Sequence, residues 1–144
     1  MTTKWLSGAL ALVFVAGYAA GSAHRGAVLQ AQAAQRVFEL RTYTTPEGKL
    51  DALNARFRDH TRRIFDKHGM TSVGYWVPQD APDSQNTLIY IISHQSREKA
   101  KENWAAFSAD PEWQKVSAES QKDGRIVSKV VSVFMTPTDY SAIK

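Results

Sequence analysis

Two stretches of this chain are apolar on both faces of any strand they form, and that surplus constrains the fold more than any other feature. Leu88-Ile89-Tyr90-Ile91-Ile92 is almost continuously apolar. Across Ile126 to Met135, Val127, Val131, Val133 and Met135 alternate against Ile126, Val130 and Phe134. A strand with one wet face alternates apolar and polar residues; a strand apolar on both sides is covered on both sides. What covers these two follows from the remaining elements.

Val37 to Thr44 reads as a strand with Phe38, Leu40 and Thr42 on one face and Val37, Glu39, Arg41 and Tyr43 on the other. Thr45-Pro46-Glu47-Gly48 breaks it and opens a helix from about Lys49 to His68. Leu50, Leu53, Phe57, Thr61, Ile64 and His68 form its apolar stripe, leaving Arg56, Arg58, Asp59, Arg62, Arg63 and Asp66 towards water. Gly69 stops it. Met70 to Val77 and Asn86 to His94 are two further strands, joined as a hairpin by the polar loop after Pro78. Ser96 caps a helix carrying Ala100, Trp104 and Phe107. Asp110-Pro111-Glu112 opens a short second helix with Trp113 and Val116 on its apolar side. Ile126 to Met135 is the last strand.

The order βαββαβ predicts an α+β, ferredoxin-like fold. Helices on one side of a four-stranded sheet bury only that side, and no further strands remain in the sequence to cover the other. The expectation is a homodimer whose bare sheet faces meet as a dimeric α/β barrel.

Residues 1–35 are of another kind. The stretch contains no acidic residue, and Trp5 to Ala20 carries no charge. Met1 to Lys4 supplies a short basic start; Gly21-Ser22-Ala23 and Ala31-Gln32-Ala33 are candidate cleavage sites. Residues 1–35 are therefore expected to be a signal peptide or, uncleaved, an N-terminal membrane anchor in which an apolar leader helix spans Thr3 to Ala23. The protein is then periplasmic or secreted, or anchored to the membrane, with membrane contact only through the leader. Lys4 and Arg25 belong to the leader, so 16 basic side chains face 14 acidic ones beyond residue 33, a net charge of +2. That excludes nothing about small ligands but does not suit nucleic acid, which needs basic residues gathered on one face. The absence of Cys excludes disulfides, thiolate metal sites and a cysteine nucleophile.

Several ordered segments are similar to one family. Val37-Phe38-Glu39-Leu40-Arg41-Thr42-Tyr43, Gly48-Lys49-Leu50, Lys67-His68-Gly69-Met70, Val73-Gly74-Tyr75-Trp76, Trp104-Ala105-Ala106-Phe107, Asp110-Pro111-Glu112-Trp113 and Phe134-Met135-Thr136-Pro137-Thr138-Asp139-Tyr140 resemble the NIPSNAP domain in its usual order. The resemblance spans 36–140, with 141–144 as a tail, and implies a dimeric α+β barrel. It implies no particular reaction; some members associate with membranes or with vesicle-related and mitochondrial proteins.

Chemistry, if present, is expected in the barrel interior. With Phe38 and Leu40 facing the helices, Glu39, Arg41 and Tyr43 face that interior. They read either as a clamp for an anion or carbonyl or as a structural ion pair that fixes dimer register, and the structural reading is favoured because buried ion pairs are often kept without catalysis. His60 lies about 80° from Leu50 around the helix and would reach a cleft between helix and sheet; His94 ends the third strand. Trp76, Tyr75 and Tyr90 either line a pocket or pack as core. His68 reads as a helix cap. No pair of histidines has zinc-site spacing, so neither a metal nor a cofactor is expected. The function expected is a non-catalytic binding or scaffold domain accepting at most a small apolar or anionic ligand. The alternative is a dimeric-barrel enzyme, monooxygenase-like or haem-assisted, with His60 or His94 as base or ligand and Arg41 steering an anionic group. A void enclosed by Glu39, Arg41, Tyr43 and a histidine would favour the enzyme; a packed interior would favour the scaffold.

Overall fold

The computed structural model describes residues 36–144; the expected leader, with its cleavage or anchoring, lies outside the described residues. Strands β1 (Val37–Thr44), β2 (Thr71–Trp76), β3 (Thr87–His94) and β4 (Lys129–Met135) form one antiparallel sheet in the order β2-β3-β1-β4. Between β1 and β2 run α1 (Leu50–Arg56), a π-helical turn (Phe57–Thr61) and α2 (Arg62–Lys67). Between β3 and β4 run α3 (Arg97–Ala109) and α4 (Pro111–Ser120). This is the ferredoxin-like α+β order that the sequence implied.

Local chemistry sets the helix limits. Ser96 accepts from the Lys99 N–H at 3.2 Å to start α3, and Asp110 accepts from the Glu112 N–H at 2.8 Å to start α4, with Pro111 at its first position. Gly69 adopts φ +70°, the left-handed conformation that ends a helix without steric cost. Leu50, Leu53, Phe57 and Ile64 then bury against Leu88, Tyr90 and Ile92, forming the core between helices and sheet.

Four expectations need correction. The first helix is not regular, because the π turn Phe57–Thr61 interrupts it. Arg56 is buried rather than wet: it stands three positions after Leu53, on the edge of the buried stripe, and lies over the Trp113 ring. The last strand begins at Lys129; Ile126 is buried from the preceding loop. The faces of β1 are also reversed. Tyr43 packs its ring 5.9 Å from Phe57, so Glu39, Arg41 and Tyr43 face the helices. An alternation of period two shows which residues share a face, not which face is covered.

The other sheet face carries Phe38, Leu40, Ile89, Ile91, Val131, Val133 and Met135, in register across β3, β1 and β4. Val131 is 42% exposed, Val133 47% and Trp76 50%. After β4 the chain lays Pro137, Thr138, Ser141 and Ile143 beside Phe38, Val73, Ile91 and Met135, around a groove of about 310 Å³. Among the described residues no helix is long and apolar enough to cross a membrane.

Candidate functional site

The helix-facing side of β1 places Glu39, Arg41 and Tyr43 in a row, and register does the rest. His94 lies opposite Val37 at the end of β3, and Ser132 of β4 lies opposite Arg41. Trp104 comes down from α3. These residues converge on the Glu39 carboxylate, which is 1% exposed. Its Oε1 accepts from Arg41 Nη1 at 2.7 Å and Ser132 Oγ at 2.6 Å. Its Oε2 accepts from Trp104 Nε1 at 2.7 Å and His94 Nε2 at 3.1 Å. Four donors thus serve two oxygens.

The electrostatics follow. Burial pushes the Glu39 carboxyl up, and the hydrogen bonds from His94, Ser132, Trp104 and Arg41 more than offset it, lowering it from 4.5 to about 2. An ionised carboxylate only accepts, so His94 Nε2 carries a proton. Its Nδ1, buried, has no protein partner. Arg41 also donates to Tyr43 Oη at 3.2 Å and lies 4.2 Å from the centre of the Trp104 ring. Burial disfavours its charge; Tyr90, Tyr43 and Glu39 favour it and prevail. Tyr90 is fully buried and stacks on Tyr75 with ring centres 5.5 Å apart; burial raises its phenol well above the ordinary value. Phe134 lies 6.1 Å from the His94 ring and carries the Arg97 guanidinium 3.2 Å above its own.

The structure therefore brings together Glu39, Arg41, Tyr43, Tyr90 and His94, but between sheet and helices rather than on the exposed sheet face. His60 does not join them. It sits exposed on the π turn, because its position on the helix falls outside the buried stripe. Trp76 is half exposed at the end of β2, on the open face, its indole folded back over Gly74. His68 does not serve the last carbonyls of its helix; its Nε2 lies 2.6 Å from Asp110 Oδ2, where Lys67 Nζ also donates at 2.8 Å.

Two members of the cluster were not anticipated. Ser132 is the single polar residue within Val130 to Met135, and a hydroxyl inside an apolar strand signals a buried partner. Trp104 shares a helix face with Ala100 and Phe107 as a core residue does, yet a partly buried indole N–H needs an acceptor. Among the described residues there is no group of three side chains suited to hold a metal ion. Chemically, the cluster is a closed one: its carboxylate, guanidinium and imidazole are spent largely on one another.

The comparisons with known proteins agree with this fold. The NIPSNAP family model matches residues 38–142. No curated protein sequence matches the chain. Among solved structures, a NIPSNAP family protein of unknown function from Agrobacterium tumefaciens is 23% identical with a TM-score of 0.66, covering 77% of this chain and 96% of that one. An uncharacterised NIPSNAP-like domain protein from Burkholderia xenovorans is 17% identical with a TM-score of 0.65, covering 75% and 90%. SnoaB, a cofactor-independent oxygenase from Streptomyces nogalater, is 14% identical with a TM-score of 0.51, covering 77% and 100%. At these identities the likeness is one of fold.

Proposed function

The chain belongs to the NIPSNAP family, and from that premise we propose that it is a non-catalytic, homodimeric binding or scaffold domain, exported or membrane-tethered through its leader. The observation that carries this reading is the open sheet face. Val131, Val133 and Trp76 are each 42% or more exposed, on a face that also carries Leu40, Ile89 and Ile91. An apolar sheet face of this extent is costly in water and is relieved by a second copy laid face to face. The Glu39 cluster supports the non-catalytic half of the proposal. A group that catalyses must offer a proton, a lone pair or a charge to a substrate, whereas Glu39 accepts four protein hydrogen bonds and Arg41 donates to Glu39 and Tyr43.

The enzyme reading has one observation in its favour, the unpartnered Nδ1 of His94. It requires substrate to reach an imidazole that is only 1% exposed. Sedimentation of the purified protein, with its visible absorption spectrum, tests the proposal. The expected result is a colourless dimer. A monomer at high micromolar concentration removes the scaffold's interface, and a strong visible band revives the enzyme.

A further inference from the structure

Arg56 is 7% exposed, and no carboxylate pairs with it. The acidic residues of the sequence begin at Glu39, so every Asp and Glu lies among the described residues and was available to it. Its contacts are spare: Nη1 reaches Ser120 Oγ at 3.4 Å, the guanidinium lies 5.2 Å from the centre of the Trp113 ring, and the buried Nε has no partner. Arg41 shows what the fold does when it buries a cation for structure alone, since that guanidinium is matched to Glu39. Burial pushes Arg56 down from the ordinary arginine value, against the influence of Tyr43 and Tyr90. A cation held out of water without an anion is strongly disfavoured, and its retention points to an anion that completes it.

Two further features fall at the same place. The π turn begins at Phe57, immediately after Arg56, and such turns gather at functional sites. The wall over Arg56 is α4, a helix with no buried residue of its own, resting on the core through the half-buried Trp113 and Val116. Beyond its start, which Asp110 and Glu112 tie to α2, α4 is lightly seated, and that part can yield to admit a ligand.

We propose that Arg56 anchors a small aromatic carboxylate in the seam between α1 and α4, with Trp113 against the ligand's ring and Ser120 beside its carboxylate. The planar fork of a guanidinium matches a carboxylate with two parallel hydrogen bonds. A single unpaired cation matches a monoanion, and the Trp113 ring beside the guanidinium matches a flat apolar body. The seam lies on the helix side of the sheet, so the site stands apart from dimerisation and from the reading given under Proposed function.

The probe is benzoate, added to the full chain, with thermal melting and tryptophan fluorescence as readouts. Benzoate raises the melting temperature saturably; sodium chloride at equal ionic strength and benzyl alcohol do not. Arg56→Met melts higher than the parent without ligand, because the uncompensated cation is gone, and its affinity for benzoate falls at least about tenfold. Ser120→Ala, a half-buried position that leaves the core intact, weakens benzoate several-fold and decides the matter should the Met variant fail to fold. A response matched by chloride, a response unchanged in Arg56→Met or Ser120→Ala, or a folded Met variant that melts below the parent overturns the proposal.

Discussion

Glu39 concentrates more of the molecule's electrostatics than any other residue. Its folded carboxyl sits at about 2 against an ordinary 4.5. Because the folded value is depressed, the unfolded chain takes up a proton between those limits that the folded chain refuses. The stabilisation is therefore complete above about 4.5 and is lost as pH falls through 2. It amounts to roughly 2 kcal/mol after allowance for residual solvent screening at the cluster's edge. Glu39→Gln removes the charge and turns an N–H₂ donor towards groups that already donate: Trp104 and His94 on one side, or Arg41 and Ser132 on the other. The variant is expected to lose about 3 kcal/mol at pH 7. Urea unfolding of parent and variant, repeated from pH 7 to pH 2.5, checks both expectations. The gap between the two narrows as the pH drops below 4.5 if the charge is the cause, and stays constant if only shape was lost.

At the scale of elements, a clasp joins the end of α2 to the start of α4. Asp110 caps α4 through Oδ1 while Oδ2 takes Lys67 Nζ and His68 Nε2. Arg63 adds a pair with Glu112. The hydrogen bonds from Lys67 and His68 hold the Asp110 carboxyl well below the usual carboxylate range. Asp110→Asn keeps a capping oxygen but loses the charge; Asp110→Ala loses both. Melting temperatures are expected to fall in the order parent, Asn variant, Ala variant, and calorimetry at pH 7 decides; an Ala variant as stable as the Asn variant would mean the cap contributes nothing. These caps were legible in the sequence, since Ser96, Asp110-Pro111 and Gly69 each announce a backbone need by their chemistry. So were the succession of strands and helices and the hairpin of β2 with β3. The π turn was not legible, because Phe57 to Thr61 keeps ordinary helical periodicity on both sides. Nor was the inward face of β1. Phe38-Leu40 and Glu39-Arg41 each make a plausible inner face, and only the donors arriving from Trp104, His94 and Ser132, 55 to 93 residues away in sequence, show that the charged face is the covered one. The sequence joined Glu39, Arg41 and Tyr43 through their spacing of two; the rest of the cluster is tertiary.

For the whole molecule, the surplus of apolar sheet reduces to one strand with two exposed sides. On β4, Val133 lies opposite Leu40 and Val130 opposite Tyr43. Val133 therefore belongs to the open face, and Val130 to the face that meets the helices near the sheet's edge. The two are 47% and 44% exposed, so a lysine at either perturbs the folded subunit about equally. Their effects on assembly should differ. A charge at position 133 would be buried between two sheets, where desolvation is not repaid; a charge at position 130 would keep its path to water. The parent, if it is a face-to-face dimer, has a melting temperature that climbs with protein concentration, because association draws on the folded state alone. Val133→Lys is expected to sediment as a monomer with a melting temperature independent of concentration. Val130→Lys is expected to keep the dimer and its concentration dependence. The aromatic circular dichroism of the variant at 133 should keep the contribution of Tyr43, Tyr90 and Trp104, which lie on the other side of the sheet, and differ from the parent only through Trp76 on the open face. A variant at 133 that still dimerises would place the contact elsewhere, and would leave the exposure of Val131, Val133 and Trp76 unexplained.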